Sequence, residues 1–145
     1  MFKRILIATD GSDLAGKGVA TGLSLAKTLG AQVVAVTATE PWTAMASSEG
    51  MAFNFPIEDY EKSAADQANG ILSKVQKEAE SLGVSCETVH VSDFPAEAIM
   101  ATAQGKGCDL IVMASHGRRG LSRLLLGSQA TRVVTMSAVP VLICR

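Results

Sequence analysis

The order of apolar segments along the chain predicts an α/β fold: an open, doubly wound, five-stranded parallel sheet with helices on both faces. Three observations carry that expectation. Of five strand-like segments, the apolar runs such as Ile5 to Ala8 and Leu110 to Met113 lack the two-residue alternation of strands with one wet face, as strands covered on both sides should. Four stretches between them repeat small or apolar residues every three or four positions. The two kinds of segment alternate strictly, which is how a parallel sheet with crossover helices reads.

Ile5-Leu6-Ile7-Ala8 is the first strand, halted by the turn formers Thr9-Asp10-Gly11-Ser12. From Ser12 to Leu29 a helical stripe runs through Ala15, Val19, Gly22, Leu23, Ala26 and Leu29, and Gly30 supplies its C-terminal cap. Gln32 to Val36 is the second strand. Glu58 to Leu82 is the longest helix, with its stripe on Ile57, Tyr60, Ala64, Ala68, Ile71, Val75, Ala79 and Leu82 and its stop at Gly83. Ser85 to Val91 makes a third strand. Pro95, at home in a first turn, opens a short helix reaching about Gln104. Asp109 to Met113 is the fourth strand, Ser128 to Met136 the last helix and Val139 to Cys144 the fifth strand. Pro140 falls near that strand's start, where proline is tolerated. One connection is long, Thr39 to Pro56, and carries Trp42, Met45, Met51, Phe53 and Phe55. It reads as a lid or partner surface, or as a loop tucked loosely on the domain.

Composition excludes several classes of function. The 145 residues, without repeat or boundary, amount to a single domain, 1–145. Apolar residues at 48% and charged ones at 19% rule out a disordered chain. A net charge of −1 and 4% aromatics argue against nucleic acid as partner. No apolar run reaches the roughly 18 residues of a spanning helix, and Met1 to Ile5 lacks the shape of a signal peptide. The expectation is a cytoplasmic protein without membrane contact. Cys86, Cys108 and Cys144 are widely spaced and form neither a disulfide framework nor a zinc site, and Cys86 and Cys144 read as buried, inert thiols.

In open parallel sheets a ligand sits beyond the carboxyl ends of the strands, where strand order reverses. The loop after the first strand, Ala8 to Ser12, is one wall of that crevice. The loop after the fourth strand is the best candidate for the other, because it holds Gly117, Gly120 and Gly127-Ser128 before a helix starts. Glycine permits positive φ and lets a backbone N–H approach an anion without a Cβ in the way. A helix N-terminus adds unpaired N–H groups and a positive dipole end. Ser128 can donate to a phosphate or cap its helix.

At this loop the chain resembles the universal stress protein family. Its ATP-binding members carry Gly, two residues, Gly, nine residues, then Gly and Ser or Thr. Gly117 matches the second glycine, Arg118 to Leu126 the nine residues, and Gly127-Ser128 the close. Ala114 stands where the motif has its first glycine. Were positive φ needed there, alanine would cost about 1–2 kcal/mol. The resemblance extends to the opening strand with Thr9-Asp10-Gly11-Ser12, the element order and the closing Val139 to Ile143.

It implies an adenine nucleotide alpha hydrolase-like fold and a stress-response regulator acting by nucleotide binding and dimerisation. ATP, with or without magnesium, is the implied ligand. Residue by residue, it implies that Ala8, Thr9 and Asp10 hold the adenosine and that Ala38 packs on adenine. Ribose and phosphates would lie along Met113, Ala114, Gly117, Gly127, Ser128, Gln129 and Ala130. Asp10 either accepts from the ligand or caps the following helix. Relatives form homodimers through the last strand, here Val139 to Cys144. The alternatives are a dimeric adaptor without a nucleotide site, favoured by Ala114, and a weak ATPase.

Competing motifs read less well. Gly11-Ser12-Asp13-Leu14-Ala15-Gly16-Lys17 has P-loop spacing, but Gly18 follows where that loop needs Ser or Thr for magnesium. Lys17 is then a solvated helix residue. Arg118, Arg119 and Arg123 either contact phosphates or lie on a solvated loop. His116 and His90 read as structural, and no metal or catalytic constellation is visible.

Overall fold

The structure is a computed structural model and describes residues 1–44, 56–117 and 125–145. Its elements run β1 (Arg4–Ala8), α1 (Asp13–Leu29), β2 (Gln32–Thr39), α2 (Ile57–Leu82), β3 (Cys86–Ser92), α3 (Pro95–Gly105), β4 (Leu110–Ala114), α4 (Ser128–Met136) and β5 (Val141–Cys144). The five strands form one sheet in the order β3-β2-β1-β4-β5, every pair parallel. The chain winds outward from β1 to β3, then returns across β1 to β4. Strand order therefore reverses between β1 and β4, and β3 and β5 are the edges.

Alternation along the central strands explains why helices cover both faces. Ile5 and Ile7 of β1, Val33 and Ala35 of β2, and Leu110 and Val112 of β4 pack with α1 and α2, where Val19, Leu23, Leu72 and Val75 meet them. Leu6, Val34, Ile111 and Met113 point the other way, onto Ala96, Ile99 and Ala103 of α3 and Ala130 and Val133 of α4. A strand with apolar residues on both faces shows no alternation in sequence. Two glycines of α1 let the helix lie close to the sheet. A Cβ on Gly22 would fall 2.6 Å from Ile7 Cδ1, and one on Gly18 would fall 3.3 Å from the Ala114 nitrogen. Gly18 and the exposed Lys17 thus belong to a helix that has already begun at Asp13, not to a phosphate loop.

Some boundaries differ from expectation. β2 continues past Val36 to Thr39, because Thr37, Ala38 and Thr39 pair with His90, Val91 and Ser92 of β3 after β1 has ended. The buried stripe of α2 holds Leu72 with Ala68, Val75 and Ala79, whereas Ile71 is only partly buried and Ile57 is exposed. β5 starts at Val141, since Val139 is held in a turn by its N–H donating to Ser137 Oγ at 3.1 Å. Cys86, on edge strand β3, is half-buried, whereas Cys108 and Cys144 are buried. Among the described residues no helix is long and apolar enough to cross a membrane. Met45, Met51, Phe53, Phe55, Gly120 and the three arginines at 118, 119 and 123, for which the sequence raised expectations, lie outside the described residues.

The amino end of the sheet is laced by charged groups. The Asp109 carboxylate accepts from the Lys3 N–H at 2.9 Å and the Arg4 N–H at 3.1 Å. The Arg4 guanidinium donates to the Lys106 carbonyl at 2.7 Å and to Gln32 Oε1 at 3.0 Å. Lys106 pairs with Glu87 at 2.5 Å across exposed side chains.

Candidate functional site

At the carboxyl end of the sheet lies a cleft of about 590 Å³, of a size to take a small organic ligand. It opens between the loops after β1 and β4, where strand order reverses. All eleven residues singled out from the sequence line it.

The first loop holds its own shape. Thr9 continues the ladder, donating its N–H to the Val36 carbonyl at 3.0 Å, and its hydroxyl accepts from the Gly11 N–H at 3.1 Å. Gly11 has φ 78°, a left-handed conformation that makes the turn. Asp10 Oδ1 accepts from the Ser12 N–H at 2.9 Å, and Ser12 caps α1 by accepting from the Ala15 N–H at 3.2 Å. Of the two roles open to Asp10, helix capping therefore falls to Ser12, and Asp10 shapes the turn before it. The other Asp10 oxygen reaches across to the second loop, 2.7 Å from where a Cβ on Gly117 would stand.

The second loop is stitched at Ser115. Its N–H donates to the Cys144 carbonyl, and its carbonyl accepts from the Gly127 N–H, both at 2.8 Å. Gly127 is thus corrected from a free anion donor to the closing rivet of the loop. A Cβ there would fall 3.1 Å from the Ser115 carbonyl oxygen and 3.4 Å from His116. Neither Gly117 nor Gly127 has positive φ, and no residue other than glycine does among those described. These glycines answer to close approach rather than backbone freedom. Ala114 sits in β4, paired with Cys144, so its alanine carries no left-handed strain.

The N-terminus of α4 supplies what Gly127 does not. The first helical hydrogen bond runs from the Thr131 N–H to the Gly127 carbonyl at 2.9 Å, and no side chain caps the helix. The N–H groups of Ser128, Gln129 and Ala130 therefore have no partner within the helix. The described residues bring the carboxylates of Asp10 and Glu40 to the cleft but no lysine or arginine. Among these residues, attraction for an anion rests on peptide N–H groups and the α4 dipole.

Ala38 lies on the opposite wall. Val36 faces β1, as its bond from Thr9 shows, and Thr39 faces β3, where its carbonyl accepts from the Asp93 N–H at 3.0 Å. Alternation turns Ala38 to the β1 side, two residues beyond the Ala8–Val36 pair that ends β1. Its N–H and C=O stand side by side at the cleft.

Sequence reasoning missed the wall built by α2. Tyr60, Ser63, Gln67 and Ile71 line the cleft, and the Tyr60 hydroxyl donates to the Glu40 carbonyl at 2.6 Å. Burial, then the Glu40 charge, holds the Tyr60 phenol above its ordinary value, so it remains a donor. The three- and four-residue spacing placed these residues on one stripe, but spacing does not separate a core stripe from a cleft stripe. His116, read as structural, also lines the cleft, with Nδ1 3.1 Å from Ser115 Oγ. Among the described residues no three His, Cys, Asp or Glu side chains gather as a metal site.

Comparisons with known proteins agree with this architecture. A universal stress protein of Thermus aquaticus is 38% identical over the full length of both chains. Universal stress protein YxiE of Bacillus subtilis is 32% identical, again over both full lengths. Among solved structures, universal stress protein UspA from Lactobacillus plantarum superposes with a TM-score of 0.85 at 21% identity, covering 99% of this chain and 97% of its own. A universal stress protein in complex with cAMP has a TM-score of 0.69 at 24% identity, covering 99% and 97%. The one from Archaeoglobus fulgidus in complex with dAMP has 0.66 at 21%, covering 99% and 98%. These structures share the fold. The model of the Universal stress protein family matches residues 1–145, and the chain belongs to that family.

Proposed function

We propose that the cleft binds an adenine nucleotide, ATP with or without magnesium, and that the protein is a cytoplasmic stress-response regulator working by binding rather than catalysis. One observation carries the reading. The two loops and the α4 N-terminus meet in a single cleft at the reversal of strand order, and the motif positions Ala114, Gly117, Gly127 and Ser128 line it together with Ala8, Thr9, Asp10 and Ala38. In this reading Ala38 N–H donates to N1 of adenine and Ala38 C=O accepts from the 6-amino group. The first-turn N–H groups of α4 take the phosphates. The nucleotides held by relatives of the same fold support the ligand class. Among the described residues no three His, Cys, Asp or Glu side chains gather, so magnesium arriving with the nucleotide would be held chiefly by the phosphates and water.

The nucleotide would act by ordering the loops that close on it and, through β5, the contact between two copies. Edge strand β5 with the neighbouring exposed Val134, Met136 and Leu142 supports a homodimer through Val139 to Cys144. Calorimetry and thermal melting with Mg-ATP test the ligand. A micromolar ligand at roughly millimolar concentration adds about 4 kcal/mol of stability, so the absence of both binding heat and a shifted melt would remove the proposal. Sedimentation tests the dimer.

A second reading, a dimeric adaptor without nucleotide, is favoured by one feature: the Gly127 N–H is already held by Ser115. Ala114→Gly separates the two. Binding by that variant alone assigns the natural protein to the adaptor reading.

A further inference from the structure

The short helix α4 begins at a glycine that no side chain caps, and in the nucleotide reading its first turn receives the phosphates. Beside the apolar packing of Ala130 and Val133, two polar contacts tie it to α3. Gln129 Oε1 accepts from the Ala96 N–H at 3.0 Å, and Arg132 pairs with Glu97. Ala96 is fully buried, and its N–H is one of those left without a helical partner at the start of α3, because Ala98 is the first to donate, to the Phe94 carbonyl. Removing the acceptor would leave a buried donor unsatisfied. The Arg132–Glu97 pair is largely exposed and contributes less. Gln129 thus has two tasks. Its backbone N–H stands at the mouth of α4, and its side chain closes the N-terminus of the neighbouring helix.

We infer that Gln129 is a positioning residue, whose side chain locks the N-termini of α3 and α4 together and so aims the first-turn N–H groups of α4 at the phosphates. The consequence for phosphate rests on the nucleotide reading of the cleft; the coupling of the helices does not.

The test uses the intact protein and Gln129→Met, which keeps the length and removes the acceptor. Both are titrated with ATP and with adenosine, and amide hydrogen exchange is followed at Ala96. Exchange at Ala96 should quicken by about tenfold or more once its partner is gone. ATP should bind about fivefold more weakly, with adenosine changed by less than about twofold, because only the phosphate end is loosened. Gln129→Glu keeps an acceptor and should keep Ala96 protected. Gln129→Asn, one methylene shorter, carries the same test if Gln129→Met does not fold. Unchanged exchange at Ala96 overturns the coupling. Equal losses for ATP and adenosine overturn the positioning role in favour of a general loosening of the cleft. A natural protein that binds no ATP removes the nucleotide reading instead, and the role toward phosphate with it, while exchange at Ala96 still decides the coupling.

Discussion

The two ends of the same sheet treat their polar groups in opposite ways. At the amino end, Asp109 takes two backbone N–H groups, Arg4 takes a carbonyl and an amide, and Lys106 takes Glu87. Each of these groups answers another across the ends of β1, β2, β3 and β4. At the carboxyl end the ladder stops unevenly. β2 outruns β1, α4 begins without a side-chain cap, and its first-turn N–H groups lie at a cleft. The lesson is that one end joins its polar groups in pairs, whereas the other leaves backbone groups at a cleft, where the proposed ligand would meet them. Substitutions at the two ends should therefore be read by different instruments.

The largest effect is expected at the carboxyl end. Gly127→Val places a side chain against the Ser115 carbonyl and His116. ATP affinity should fall by more than about a hundredfold, the scale on which a displaced site loses function. Circular dichroism should remain that of the folded protein. Retained affinity would show that the α4 entrance does not receive phosphate.

Next in size is Asp109→Ala at the amino end. Chemical denaturation should record a loss of about 2 kcal/mol, the scale for charge-assisted hydrogen bonds to backbone N–H groups. Nucleotide affinity should not move. A matching loss of affinity would break the division between the ends.

Ala38→Pro is smaller. It removes a cleft-facing N–H without removing a ladder bond, because Ala38 lies beyond the end of β1. ATP and adenosine should both weaken about fivefold, as loss of one hydrogen bond predicts. Weakening of ATP alone would move adenine away from β2.

The smallest effect belongs to Cys108, beside the Arg4 network. Burial, first among its causes, pushes its thiol up to about 11. The folded state therefore holds the proton more tightly than the unfolded chain, whose thiol titrates near 9.0. This contribution to stability is complete below that value and is lost as pH climbs toward about 11. At about pH 8 a thiol reagent should modify half-buried Cys86 before Cys108 in the folded protein. Equal rates would mean that the amino end opens more readily than its hydrogen bonds imply.

Element order, caps and helix stripes were legible because each has a local cause. Gly30 and Gly83 end their helices with φ 65° and 71°, the left-handed conformation glycine favours, and Pro95 opens α3. The cleft's loops were legible through their glycines and the family motif. The α2 wall was not, because Tyr60 and Ile71 share the apolar rhythm of Ala68 and Val75, and only the path of β2 decides which of them meet the sheet. Nor was the fate of the Gly127 N–H, because its acceptor is a carbonyl twelve residues back.

By itself, then, the sequence determined the succession of strands and helices, their stops and the composition of the two facing loops, all consequences of residue preference and short-range periodicity. Tertiary structure decided which backbone groups remain available. Hydrogen bonds join atoms that the chain brings together only when folded, so Ser115 could claim Gly127, Gln129 could claim Ala96, and Ala38 could be left facing the cleft.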